Sequence, residues 1–173
     1  MAFEQTIANV FQMDEETWQR HAHPGSVWSR NTTLPLLILA AWSRVWLGWW
    51  ALIPFTLALL WIWYNPRVFP KPQSTNNWAS KAVFGERVWL NRDVMPVPEH
   101  HLYVPNILTA VASFGMVLVI LGVINLAIWP TLCGTILVML GKLWFIDRMV
   151  WLYHDMQDKH PQYKQWLYDN KNN

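Results

Sequence analysis

The residues able to do chemistry in this chain gather at the ends of its apolar runs. His21 and His23 precede the first run, Glu99, His100 and His101 precede the second, and Asp147 and His154 follow it. Imidazole and carboxylate together suit zinc or non-haem iron. A bundle that brought these groups to one membrane surface would have the ligand set of a small membrane hydrolase or oxygenase. The spacing matches neither His-Glu-x-x-His nor the repeated Glu-x-x-His of di-iron bundles. Without a metal, the same side chains serve as solvated or helix-capping groups. No Gly-rich phosphate loop, nucleophile elbow or Ser/His/Asp arrangement is visible. All 6 histidines lie outside the apolar runs, which argues against a tetrapyrrole held within the membrane.

A second set mixes cations and an acid with tryptophan: Arg20, Arg30, Glu86, Arg87, Lys142 and Arg148. Arginine stacks on indole or pairs with carboxylate. These groups form either an interlocking polar layer or a contact surface for an anionic ligand or partner. Lys142 stands at the end of a long uncharged run. It is either a snorkelling lysine or a substrate or lipid-headgroup contact.

The elements that must position these groups are read from hydropathy. Asn106 to Gly141 contains no charged side chain. As one helix it would be about 54 Å long, against a bilayer hydrocarbon of about 30 Å. Two spans fit, near 106–128 and 130–150, with the turn at Trp129-Pro130, since proline suits a first helical turn. Thr32 to Tyr64 carries only Arg44 as a charge. It reads as spans near 26–42 and 49–64 with a turn from Ser43 to Gly48. The rival is a single tilted helix, which would bury Arg44 at a cost of about 2.5–3.5 kcal/mol. The expected fold is therefore all-α, an integral membrane four-helix bundle made of two transmembrane hairpins.

Four spans put both termini and residues 65–105 on one side. Of the 13 lysines and arginines, all but Arg44 then fall on that side. This excess marks it as cytoplasmic. Trp42, Trp46, Trp49, Trp50 and Trp129 gather at the outer turns, and Trp28, Trp61, Trp63, Trp144 and Trp151 toward the cytoplasmic ends, as interfacial anchors. Gly115 and Gly122 lie at depths matching Gly134 and Gly141, so the second hairpin has a close-packed glycine seam.

In the central loop, prolines frame a helix over Ser74 to Leu90. Trp78, Ala82, Gly85 and Trp89 share a face, which suggests an amphipathic helix lying in the interface or covering the cytoplasmic mouth of the bundle. The helix after Asp147 continues out of the membrane, Pro161 interrupts it, and Asp169 to Asn173 read as disordered. One membrane domain covers 1–173: an N-terminal segment 1–25, hairpins 26–64 and 106–150, the loop 65–105 and a tail 151–173.

Composition agrees. The chain is 53% apolar and 14% charged, against about 25% charged in soluble domains. The net charge of +2 and the lack of a dense basic cluster exclude nucleic acid as a partner. Cys133 is the single cysteine, so there is no intrachain disulfide or cysteine metal site.

The stretches EETWQRHAHPGSVWSR (15–30), NWASKAVFGERVWLNR (77–92) and GKLWFIDRMVWLYHDM (141–156) together resemble a family of small prokaryotic multi-helix membrane proteins known as a domain of unknown function. The resemblance covers about residues 13–156 and implies residence in a prokaryotic inner (plasma) membrane, but no activity. The expected function is a non-catalytic accessory or assembly subunit. It would pack against lipids and other membrane subunits, or against copies of itself. The alternatives are a membrane enzyme using a zinc or iron ion at the cytoplasmic His/carboxylate groups, and an oligomeric transporter or channel lined by Arg44 or Lys142.

Overall fold

The computed structural model describes residues 13–170. The helices are α1 (Glu15–His21), α2 (Pro24–Asn31), α3 (Thr33–Trp42), α4 (Arg44–Leu47), α5 (Leu52–Val68), α6 (Trp78–Leu90), α7 (Tyr103–Ile124), α8 (Ile128–Met156) and α9 (Pro161–Gln165). Tight 3₁₀ turns cover Gly48–Ala51 and Glu99–His101. Among the described residues there is no strand beyond one bridge between Ser74 and Asp169.

Local chemistry sets several helix starts. The Asp14 carboxylate accepts from the Thr17 amide at 2.7 Å and caps α1. His23 Nδ1 accepts from the Gly25 amide at 3.0 Å, with Pro24 as the first helical residue of α2. His160 does the same for α9 ahead of Pro161, and Asn77 caps α6. These side chains satisfy amide groups that a helix start leaves open.

Three stretches are long and apolar enough to cross a membrane by length and composition: Pro24–Val68, Glu99–Ile124 and Ile128–Met156. The first is not straight. Gly48 has φ +55°, the chain reverses there, and α3 lies against α5. The other two pack on each other along their length, joined by Asn125 to Ala127 with Leu126 at φ 52°. In the most apolar windows only 6%, 22% and 22% of residues are buried. Trp49 and Trp129 are 87% and 80% exposed. So much bare apolar surface suits lipid rather than water.

The buried core lies elsewhere. Ala22, Val27, Val83, Phe84, Val88, Met149, Leu152, Tyr153 and Tyr163 form one cluster where α1, α2 and α6 meet the last turns of α8 and α9. We call this region the head. The segment after α9 returns to it: Thr75 N donates to Tyr168 O at 2.9 Å, and Asn170 N donates to Gln73 O at 3.0 Å.

Several expectations are revised. The second turn falls at Asn125–Ala127, before Trp129, because Pro130 sits inside the first turn of α8 rather than at its start. α5 runs through Asn65-Pro66 to Val68, with Pro66 in its last turn. α6 starts at Trp78 and is not a surface helix with one apolar face on lipid. Ala79, Ser80, Ala82, Val83, Phe84, Gly85, Val88 and Trp89 are all buried, so protein surrounds most of it. Gly85 permits this: a Cβ there would stand 1.9 Å from the Met149 carbonyl oxygen. The glycine seam has a shifted register. Gly115 opposes Gly134, Gly122 opposes Thr131, and Gly141 opposes Leu108 and Ala112. The N-terminal residues 1–12 and the end of the tail, 171–173, lie outside the described residues.

Candidate functional site

α2, α6 and α8 enclose a cavity of about 130 Å³ at the point where the apolar stretches meet the head. Its lining is His21, Val27, Arg30, Asn31, Ala82, Val83, Glu86, Lys142 and Ile146. That is space for several waters or one phosphate-sized group. Three of its polar residues, Arg30, Glu86 and Lys142, come from the sequence's mixed charged set. Three elements bring them together: Arg30 closes α2, Glu86 lies mid-α6, and Lys142 follows Gly141 on α8.

A hydrogen-bond chain beneath the cavity fixes His21. Ser29 Oγ donates to Gly25 O at 2.6 Å, so its oxygen accepts from Asn65 Nδ2 at 2.8 Å. Asn65 Oδ1 therefore accepts from Ser26 Oγ at 2.7 Å. The hydroxyl proton of Ser26 is thereby committed, and His21 Nδ1, 2.8 Å away, must be the donor. Its Nε2 is left as an acceptor 3.4 Å from Arg30 Nη1. Burial first, then the charges of Arg30 and Lys142, hold the His21 pKa down to about 3. The ring is a neutral acceptor at physiological pH. Glu86 responds in the opposite sense: burial raises its pKa, and the nearby Arg30 and Lys142 charges only partly offset this.

Asn31 stands out. It is 4% exposed, and neither its Nδ2 nor its Oδ1 has a hydrogen-bond partner. Buried amides are almost always paired, and an orphan costs about 1–3 kcal/mol. Among the described residues, neither Glu86 nor Lys142 has a hydrogen bond or an ion pair within 4 Å. The cavity thus presents two cations, a carboxyl and a neutral imidazole nitrogen, and the Asn31 amide has hydrogen-bonding capacity left over.

The other mixed-charge residues serve the head. Arg87 pairs with Glu15 at 2.6 Å and lies 4.0 Å over the Trp166 ring and 5.6 Å from the centre of the Trp18 ring. Arg20 pairs with Glu16 at 2.6 Å and donates to Arg67 O at 3.2 Å. Arg148 lies 3.8 Å from Asp147 and 5.3 Å from the Trp151 ring.

The metal candidates disperse. His21 is engaged as above, His23 caps α2, Asp147 accepts from Trp78 Nε1 at 3.0 Å, and His154 is exposed on α8. Glu99 only opens the turn that carries His100 and His101. Those two histidines meet Asp155, a residue the sequence reading passed over. Asp155 Oδ2 lies 2.8 Å from His101 Nε2 and 3.2 Å from His100 Nε2. One ligand atom from each of the three falls within 4.8 Å of the others. Asp155 follows His154 directly, and the step of about 100° per residue along α8 turns it toward the 99–101 loop.

Of the expected anchors, Trp46, Trp49, Trp50 and Trp129 are exposed around the two reversals, as are Trp28, Trp63, Trp144 and Trp151 nearer the head. Trp42 and Trp61 are half-buried.

The class is therefore an all-helical protein with three stretches long and apolar enough to span a membrane, with a polar cavity where they join a packed head. The chain belongs to the DUF6653 family, a family of unknown function, whose model matches residues 2–167. No curated protein and no solved structure matches it.

Proposed function

We propose that this chain is a four-span protein of a prokaryotic plasma membrane, with its head and both ends cytoplasmic. In this reading it takes a small anionic group into the cavity between α2, α6 and α8. It acts as a non-catalytic, ligand-holding component that packs with lipids and other membrane subunits or with copies of itself. Two hairpins, α3 with α5 and α7 with α8, form the membrane part. The observation that carries the reading is the orphan Asn31 amide, buried beside Arg30 and Lys142. An unpaired amide is tolerable where a ligand supplies the missing partners, and two cations favour an anion. Basic pockets between membrane helices on the cytoplasmic side suit phosphate headgroups.

The test is calorimetric titration of the detergent-purified protein with inorganic phosphate and with glycerophosphate. Saturable binding is expected, weakened about tenfold or more in Lys142→Gln, since a charged hydrogen bond contributes about 1.5–3 kcal/mol. Absence of binding, or equal affinity in the variant, would sink the reading.

A second reading rests on His100, His101 and Asp155. Two imidazoles and a carboxylate within 4.8 Å of one another match a zinc or iron site with open positions. In that case the protein is a metal-dependent membrane enzyme. Metal analysis of the wild type and of Asp155→Asn decides it: a stoichiometric ion lost in the variant supports it, and metal-free protein removes it.

A further inference from the structure

Asn31 also lines a second space, an apolar groove of about 530 Å³, whose walls are Trp28, Pro35 and Leu36 on one side and Met139 and Leu143 on the other. Polar and apolar parts follow one another along the same two helical segments. Arg30 and Asn31 are flanked by Trp28 on one side and lead into Pro35 and Leu36 on the other, and Lys142 is flanked by Leu143 and, one turn back, Met139. The groove therefore runs beside the polar residues and extends past them, away from the head, along Pro35, Leu36 and Met139. At 1.5 Å per residue, the step from Asn31 to Leu36 carries the groove about 7 Å deeper. Trp28 and Leu36 are each more than half exposed, so the groove is open on its outer side.

We infer that the occupant is a membrane phospholipid, with its phosphate in the cavity between Arg30 and Lys142 and one acyl chain in the groove. This rests on the anion-binding reading above and specifies its ligand. Asn31, at the junction, offers its amide to the ester oxygens where headgroup and chain meet. A phosphodiester carries a single negative charge, which Arg30 and Lys142 at the cavity both favour. A soluble phosphate would satisfy the cavity but leave the adjoining groove without a role.

The experiment compares delipidated protein binding a short-chain phosphatidylglycerol with its binding of the water-soluble glycerophosphoglycerol headgroup, followed by native mass spectrometry and calorimetry. The lipid should bind at least tenfold more tightly than the headgroup. Leu36→Trp and Met139→Trp fill the groove from opposite walls. Each should remove that advantage while leaving headgroup affinity unchanged, which also shows that the variant is folded. Lys142→Gln should weaken both ligands. Headgroup binding with no gain from the chain, or a gain untouched by both groove variants, overturns the lipid inference and leaves the anion reading standing. Binding of neither ligand overturns both.

Discussion

The Arg44 guanidinium donates to the carbonyl oxygen of Ile124 at 2.9 Å and also reaches that of Val123. Arg44 follows α3, and Ile124 is the last residue of α7, so one side chain ties the reversal at Gly48 to the one at Asn125. Carbonyls at a helix C-terminus have no intrahelical donor, and a cation there also meets the negative end of the helix dipole. Arg44→Ala should cost about 1–2 kcal/mol by these terms. Thermal unfolding in detergent checks the cost. The same geometry puts Trp46 at the end opposite the head. In the four-span topology proposed above, a cysteine at that position should be labelled only from the face away from the termini; labelling from the cytoplasm would overturn that proposal.

Acid should weaken the head through His21. Its folded pKa is about 3, against 6.5 for an unperturbed histidine. Between those values the unfolded chain takes up a proton that the folded chain refuses. Stability therefore falls as pH drops below about 6.5, by roughly 1.4 kcal/mol per pH unit once well below it. Glu86 acts in the opposite direction, because its raised pKa lets the folded chain take a proton first. His21→Gln should flatten the acid loss, and Glu86→Gln should steepen it. Denaturation midpoints from pH 7 to 5 measure both slopes; parallel slopes in all three proteins would contradict this account.

Gly85→Ala should be among the most damaging single-methyl changes. The added Cβ would meet the Met149 carbonyl oxygen and carbon at 1.9 and 2.4 Å, and backbone atoms cannot swing aside. Overpacking of this kind costs about 1–3 kcal/mol. Gly25→Ala is the control, since its nearest neighbour is the edge of the Phe69 ring at 2.7 Å, which can tilt. A smaller loss in melting temperature is expected for Gly25→Ala.

The Thr75 hydroxyl holds the tail. It donates to Trp166 O at 2.8 Å and accepts from Tyr168 N at 2.8 Å. Thr75→Val keeps the shape and strands both partners, at about 1–3 kcal/mol. Limited proteolysis should then cut near residues 166–170 faster than in the wild type, with cleavage elsewhere unchanged.

The apolar part of this fold was legible in the sequence because hydropathy and length speak directly. The 36-residue run from Asn106 to Gly141 demands two helices, and Gly48 is a natural reversal point. The register of the glycine seam was not legible, since it depends on a turn only three residues earlier than Pro130 suggests. The cavity was legible only in part. Arg30, Glu86 and Lys142 announce themselves as charges beside apolar runs. Asn31 does not, because an asparagine in Ser-Arg-Asn-Thr-Thr reads as an exposed helix end until α6 covers it. The burial of α6 itself was obscured by Lys81, Glu86 and Arg87, which suggest a wet face. One of these, Glu86, lines the cavity and another, Arg87, packs on the Trp18 and Trp166 rings.

The head core joins Ala22 and Val27, made early in synthesis, to Met149, Leu152 and Tyr163, made almost last. A chain emerging from the ribosome can form its apolar helices well before that core has all its members. Lys142 and the turns of α8 that back the cavity also arrive late. Closure of the head thus waits for the last part of the chain. A product cut short before Tyr163 would keep its apolar helices yet lack one of the buried members of the head core.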